Sequence, residues 1–346
     1  MTLSPSVCND FQTVLLASND PHPPGFGLMD AKHRNPLLPA PAVPELDIPR
    51  ALTVYDGLLW IVCAAGTFGC YHLTGELSAS TVVTTATGSL EELVAIVNSP
   101  PGWYVQRGPI RTTADLLLVS SRGHVYGVAL ALGIEPLPIH DLGPCPVHIM
   151  DATPNTSGQL LLVDWESGTI FTLFSDGLVE GGVDSRVYQD MDSSDPIPPS
   201  FIPFSLSVIG EELIIGYAQR GDLGYPQAGP GHGYLSLFDL NRPGPRFIRR
   251  LVSRGPLDSP SSVTLAPPHF GYPAGSLLVA NWGSGLILVV DALGTMIEYI
   301  SDRGQVPVCV GTVSEIVRHG RAVYLLATRD GLRLSTLSCL IAGRLD

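Results

Sequence analysis

One pattern recurs along the chain: an apolar run, a polar turn that usually carries glycine, and a second run mixing apolar and polar residues. It reads "GLLWIVCAAGTFGCYHL" from residue 57, "DLLLVSSRGHVYGVAL" from 115, "GQLLLVDWESGTIFTLF" from 158, "ELIIGYAQRGDLGY" from 212, "GSLLVANWGSGLILVV" from 275 and "RAVYLLATRDGLRLSTL" from 321. Apolar runs of this length bounded by turn residues predict buried strands, and each pair predicts a hairpin. The runs begin at Leu58, Leu116, Leu160, Leu213, Leu277 and Val323, 44 to 64 residues apart, which is the period of a four-stranded propeller blade with variable loops. One such unit cannot bury both its faces, whereas six around an axis can. The predicted fold is all-β, a six-bladed β-propeller over residues 49–346, preceded in residues 1–48 by an N-terminal strand and a Pro-rich strap or lid.

Upstream of four units stands a proline followed by a short apolar strand: "DIPRALTV", "CPVHIM", "FIPFSLSV" and "DSPSSVTLA"; "EELVAIV" and "TVSEIV" fill the same slot without proline. These predict the innermost strands. In a propeller the loop into that strand and the hairpin between the second and third strands emerge on one face, around the mouth of the central channel. The predicted ring is Arg50 with Ala51, Leu93 with Val94, Val147 with His148, Phe204 with Ser205, Ser261 with Ser262, and Val313 with Ser314. Asp164, Trp165, Asn281 and Trp282, from the twin motifs "DWESG" and "NWGSG", stand around it. Gln219, Arg220 and the fourth hairpin, lengthened by "GDLGYPQAGPGHG", lie beyond.

Composition narrows the partners. Hydrophobic residues make up 45% and charged ones 15%, with 37 glycines and 31 prolines, which suits short strands and tight turns over long helices. A formal charge of −13 argues against nucleic acid, whose phosphates require clustered cations. The single lysine, Lys32, leaves Schiff-base chemistry almost without a candidate. No apolar stretch reaches membrane-span length, and "MTLSPSVCNDFQ" lacks the basic and apolar regions of a signal peptide, so a soluble chain is expected, its compartment open. The six cysteines, Cys8, Cys63, Cys70, Cys145, Cys309 and Cys339, form no zinc spacing and read as mostly buried thiols, although Cys63 and Cys70 could pair across a hairpin. Asn155-Thr156-Ser157 is a glycosylation sequon.

The stretches "PPSFIPFSLSVIGEELIIGYA", "GHGYLSLFDL" and "GPLDSPSSVTLAPPHFGYPAGSLLVANWGSGLILVVDALG" resemble an uncharacterised family of bacterial and fungal six-bladed propellers, some encoded near PEP-CTERM sorted proteins. That family usually places Pro-Trp-Gly at the start of innermost strands. Here Pro49-Arg50-Ala51, Pro260-Ser261-Ser262 and Val313-Ser314 take those places. Loss of the rings implies a cavity holding an arginine and hydroxyls; the alternative is that neighbouring blades close in and fill it.

Three chemistries are open to this ring. The more distantly similar gluconolactonase-type propellers hold calcium on the axis, which requires several converging oxygens. Here only Asp164, Asn281 and Glu92 or Glu315 offer them, and no metal is expected. Ser261, Ser262, His148 and Asp164 are the residue types of a nucleophilic triad, with no local motif to support one. What remains is a pocket with aromatic walls (Trp165, Trp282, Phe204, Tyr217), further lining from Asp164, Ser261 and Val313, and hydrogen-bond donors Arg50, His148, Asn281 and Ser262. That profile is similar to fungal propeller-like hetero-Diels–Alderases. The resemblance implies a cofactor-free cyclase that positions an apolar conjugated substrate of polyketide or terpenoid type and activates it by hydrogen bonds. A metal-dependent lactone hydrolase and a non-catalytic binding propeller stay open beside it.

Overall fold

The computed structural model describes residues 10–18, 48–73, 77–82, 90–143, 147–180, 188–221, 224–241, 245–301, 307, 309, 311–329 and 334–343. Among them the strands pair into six four-stranded antiparallel sheets and one two-stranded ribbon. The first sheet comprises Pro49–Tyr55, Leu58–Cys63, Thr67–His72 and Leu77–Val82. The second comprises Leu93–Asn98, Leu116–Ser120, His124–Val128 and Leu137–Asp141. The ribbon Tyr104–Arg107 with Ile110–Thr113 is inserted between the first two strands of this sheet. The third comprises Ile149–Pro154, Leu160–Asp164, Thr169–Leu173 and Val179–Glu180, and the fourth Phe201–Ile209, Glu212–Gln219, Gly233–Asp239 and Arg246–Ser253. The fifth comprises Pro260–Leu265, Leu277–Asn281, Ile287–Val290 and Met296–Tyr299. The sixth joins Thr312–His319, Ala322–Arg329 and Leu334–Gly343 to the N-terminal strand Asp10–Ser18, which takes its outer edge.

The apolar runs seen in the sequence are the second strand of every sheet, and most of their residues are fully buried. They alternate between two interfaces, because successive side chains of a strand point to opposite faces. In the first sheet Leu59, Ile61, Cys63 and Tyr71 pack against Tyr324 and Leu326 of the sixth, while Trp60, Val62, Phe68 and Cys70 pack against Leu93, Leu116 and Leu118 of the second. Separate clusters fill the second–third, third–fourth, fourth–fifth and fifth–sixth interfaces. The innermost strands touch in ring order, and Pro49–Tyr55 meets Thr312–His319 to close the circle. This is a β-propeller.

The same alternation settles the cysteine pairing. Cys63 and Cys70 lie in clusters on opposite faces of the first sheet, both buried and not joined to each other, whereas Cys309 is exposed. The Pro-rich segment 19–47, Cys8 and Cys145 lie outside the described residues. Asn155 of the sequon is tied into its own turn, with Oδ1 accepting from the backbone N–H groups of Ser157 (3.0 Å) and Gln159 (2.9 Å). No helix among the described residues is long and apolar enough to cross a membrane.

Candidate functional site

Each innermost strand has a partner on one side only, so its other edge faces the axis with unpaired backbone groups. All six carry a register shift near the start, which leaves one residue unpaired: Arg50, Val94, Met150, Phe204, Ser261 and Ser314. A bulge re-aims its extra residue, and here the six bulged residues line one end of the axis. With Trp282, Tyr225, Pro226, Asp151 and Glu315 they surround a cavity of about 50 Å³. Tyr225 and Pro226 come from the lengthened fourth hairpin. That hairpin is anchored by bridges Arg220–Pro226 and His232–Asp258 and by Arg220, whose guanidinium donates to the carbonyls of Trp165 and Glu166. A space this small holds ordered water or the tip of a ligand.

Behind the mouth lies an apolar cluster of Trp165, Phe204 and Ala218 with Met150, Ile202 and Trp282. Trp165 meets Phe204 edge to face at 5.5 Å. Of the expected aromatic walls, Phe204 and Trp282 line the cavity and Trp165 supports them. Tyr217 does not, because its side chain points into the third–fourth core and its hydroxyl donates to the Tyr188 carbonyl at 3.4 Å.

The twin motifs have a structural explanation. Asn281 is 0% exposed; its Oδ1 accepts the Asp258 N–H and its Nδ2 donates to the Pro256 carbonyl, both at 3.0 Å. Asp164, 1% exposed, accepts the backbone N–H groups of His148 (2.8 Å), Glu166 (3.1 Å) and Ser167 (3.2 Å). Each motif therefore locks its hairpin to the loop that leads into the innermost strand. The glycine ends the turn: Gly285 has φ +68°, and a Cβ there would collide with the Gly311 carbonyl.

The third sheet departs from expectation. Pro146 suggested Val147 and His148 for the ring, but the bulge falls at Met150, and Met150 and Asp151 face the axis. His148 does not line the mouth, and its backbone pairs with Asp164 and Trp165. Leu93 and Val313 are likewise core residues, with Val94 and Ser314 in the ring. Ser261 donates to the Val313 carbonyl at 2.8 Å and Ser262 to Glu315, so no triad with His148 forms. Arg50 lines the mouth, pairs with Glu92 at 3.4 Å, and keeps a buried Nε without a partner among the described residues.

Asp151 and Glu315 are the residues that matter most here. Their strands, Ile149–Pro154 and Thr312–His319, are three steps apart in either direction around the ring, so the two carboxyls face each other across the axis. Asp151 accepts the N–H groups of Leu206 (2.6 Å) and Ala152 (2.7 Å); Glu315 accepts from Ser262 and from the Ile316 N–H (3.2 Å). These bonds satisfy axis-facing edge groups. Burial still dominates: Asp151 is pushed up to about 7 by desolvation against the pull of its two N–H donors. Glu315 rises to about 8, by desolvation first and the Asp151 charge second. At neutral pH the pair holds at least one proton.

Both carboxyls also border a second cavity of about 290 Å³ that runs down to the opposite face. All six innermost strands line it, through Thr53, Asn98, Thr153, Ser207, Thr264 and Arg318 among others. The acidic pair thus forms a waist between a tight mouth and a roomier polar chamber. Among the described residues, no group of three or more His, Cys, Asp or Glu side chains is placed to hold a metal ion.

These features define a β-propeller with an axial acidic waist. No family model matches the chain. An uncharacterized protein of Acanthamoeba polyphaga mimivirus is 28% identical over 283 residues, 80% of this chain and 69% of the viral one. Among solved structures, virginiamycin B lyase from Staphylococcus aureus superposes with a TM-score of 0.53 at 11% identity, over 97% of this chain and all of that one. Luciferin-regenerating enzyme gives 0.52 at 12% identity, over 86% and 92%. Such identities show the fold alone. Nothing in these likenesses points to fungal natural-product biosynthesis or to a Diels–Alder cyclase.

Proposed function

We propose that this is a six-bladed catalytic propeller that moves protons on a small polar substrate at the axial waist, without a cofactor. The observation that carries the reading is the placement of Asp151 and Glu315 on opposite strands where the two cavities meet. Two buried carboxyls that keep a proton between them at neutral pH divide the work of base and acid. The ionised one takes a proton from a substrate C–H or O–H, and the protonated one gives its proton to a carbonyl or leaving oxygen of the same molecule. Propellers of similar fold include a lyase and a luciferin-regenerating enzyme, which is compatible with catalysis here and says nothing of the substrate. The six sheets and their closed ring of contacts support the blade number.

A cyclase for large apolar substrates fits less well, because the aromatic mouth offers about 50 Å³ and the roomier chamber is lined by polar groups. The test is deuterium incorporation: the protein is incubated in D2O with small hydroxylated acids and their masses are followed. Exchange should occur with the wild type and fall about 100-fold or more in E315Q and D151N. Equal exchange in the variants, or none with the wild type, sinks the reading.

A further inference from the structure

We propose that the lower chamber is the ligand-binding site and takes small hydroxylated carboxylates, with the carboxylate held by Arg318 and the hydroxylated end directed at the waist. This rests on the proton-transfer reading for the ligand's orientation, but not for its binding. Five of the six innermost strands place a hydroxyl or amide on the chamber wall: Thr53, Asn98, Thr153, Ser207 and Thr264. The sixth places Arg318. Thr153 and Thr264 make no side-chain hydrogen bond among the described residues. Ser207 accepts the Val263 N–H at 3.0 Å, which leaves its own proton free.

Arg318 is half-buried and has neither an ion pair nor a hydrogen bond among the described residues. A guanidinium on the chamber wall with no partner among the described residues is free to receive an anion. Its planar fork matches a carboxylate. At 290 Å³ the chamber is near the lower end of ordinary ligand sites, and its lining lacks the aromatic platforms of an apolar site. The hydroxyl-bearing wall then selects a ligand with hydroxyls of its own.

Isothermal titration calorimetry at constant ionic strength tests this with glucuronate and malate, against neutral glucose and inorganic phosphate as controls. Glucuronate and malate should bind the wild type and glucose should not. R318Q should weaken both by roughly tenfold or more, the loss expected when a charged hydrogen-bond donor is removed. R318K should retain part of the affinity, which separates loss of the anchor from loss of the fold. T153V with T264V should weaken glucuronate further while leaving phosphate unchanged. Binding unaffected by R318Q, or phosphate bound as tightly as glucuronate, overturns the proposal. If R318Q loses binding while the wild type exchanges no deuterium, the anchor stands and the proton-transfer reading alone fails.

Discussion

The two ends of the axis are built from the same six strands and have opposite characters. At the mouth, bulged residues, two tryptophan hairpins and the fourth-hairpin insertion converge until little space is left, and the side chains of Asn281 and Asp164 that open the two motifs are committed to backbone groups. At the lower end the strands run without bulges, the chamber wall mixes Thr, Ser, Asn and Arg with Leu, Ile and Val, and Thr153, Thr264 and Arg318 have no side-chain partner among the described residues. The difference teaches that the part of this propeller richest in recognisable motifs is its scaffold, while the roomier chamber carries no motif at all.

Four experiments would break or sharpen that contrast. The largest effect is expected at the mouth: Phe204→Ala removes a buried ring from the cluster with Trp165, and urea unfolding should register a loss of roughly 3–5 kcal/mol. If the mouth tolerates it, the mouth is not scaffold. Asn281→Ala orphans the Asp258 N–H and the Pro256 carbonyl, and the same measurement should give about 2–4 kcal/mol.

The waist comes next, through its pH dependence. Both carboxyls have folded proton affinities raised above their unfolded values of 3.8 and 4.5. The folded state therefore keeps protons that the unfolded chain releases. Their contribution to stability is fully present below about pH 4, falls as pH rises, and is gone above about pH 8. The loss is about 1.36 kcal/mol for each pH unit over which an extra proton is held, with a practical total of a few kcal/mol. E315Q should flatten the upper part of that slope. Gln is tolerated because only one Glu315 oxygen accepts the Ser262 and Ile316 donors. D151N should cost more, since Leu206 and Ala152 donate to different oxygens and an amide leaves one of them facing N–H. A stability flat from pH 5 to 8 in the wild type would remove the case for a proton-holding pair.

The smallest effect is expected below. Thr153→Val with Thr264→Val should leave thermal stability within about 0.5 kcal/mol, as for surface positions without partners. A large loss would make the chamber wall structural after all.

Much of the fold was legible because it depends on local pattern. Leu58, Leu116, Leu160 and Leu277, read from the apolar runs, each lie at the start of a second strand, and Leu213 and Val323 are one residue in. The inner ring was legible in five of its six sheets because a proline or its equivalent marks the strand start. It failed in the third, where Pro146 precedes the true start by three residues and Ile149 takes the place that Pro49, Pro203 and Pro260 fill elsewhere. That shift hid Asp151. The signal that could have found it is the register itself: aligning the bulge on "IMDATP" puts Asp151 at the position that Glu315 holds in the sixth strand, where others carry Ala51, Ser205 or Ser262.

The amino-acid sequence by itself determined the repeated hairpins, the alternation that divides each sheet between two cores, and the hairpin locks, because each depends on residues close in the chain or on a repeat of the same unit. Only the tertiary structure decided which side chains meet on the axis. Asp151 and Glu315 are separated by half the chain and come to face one another only through ring closure, and their raised proton affinity arises from burial on the axis, which no local stretch of sequence specifies.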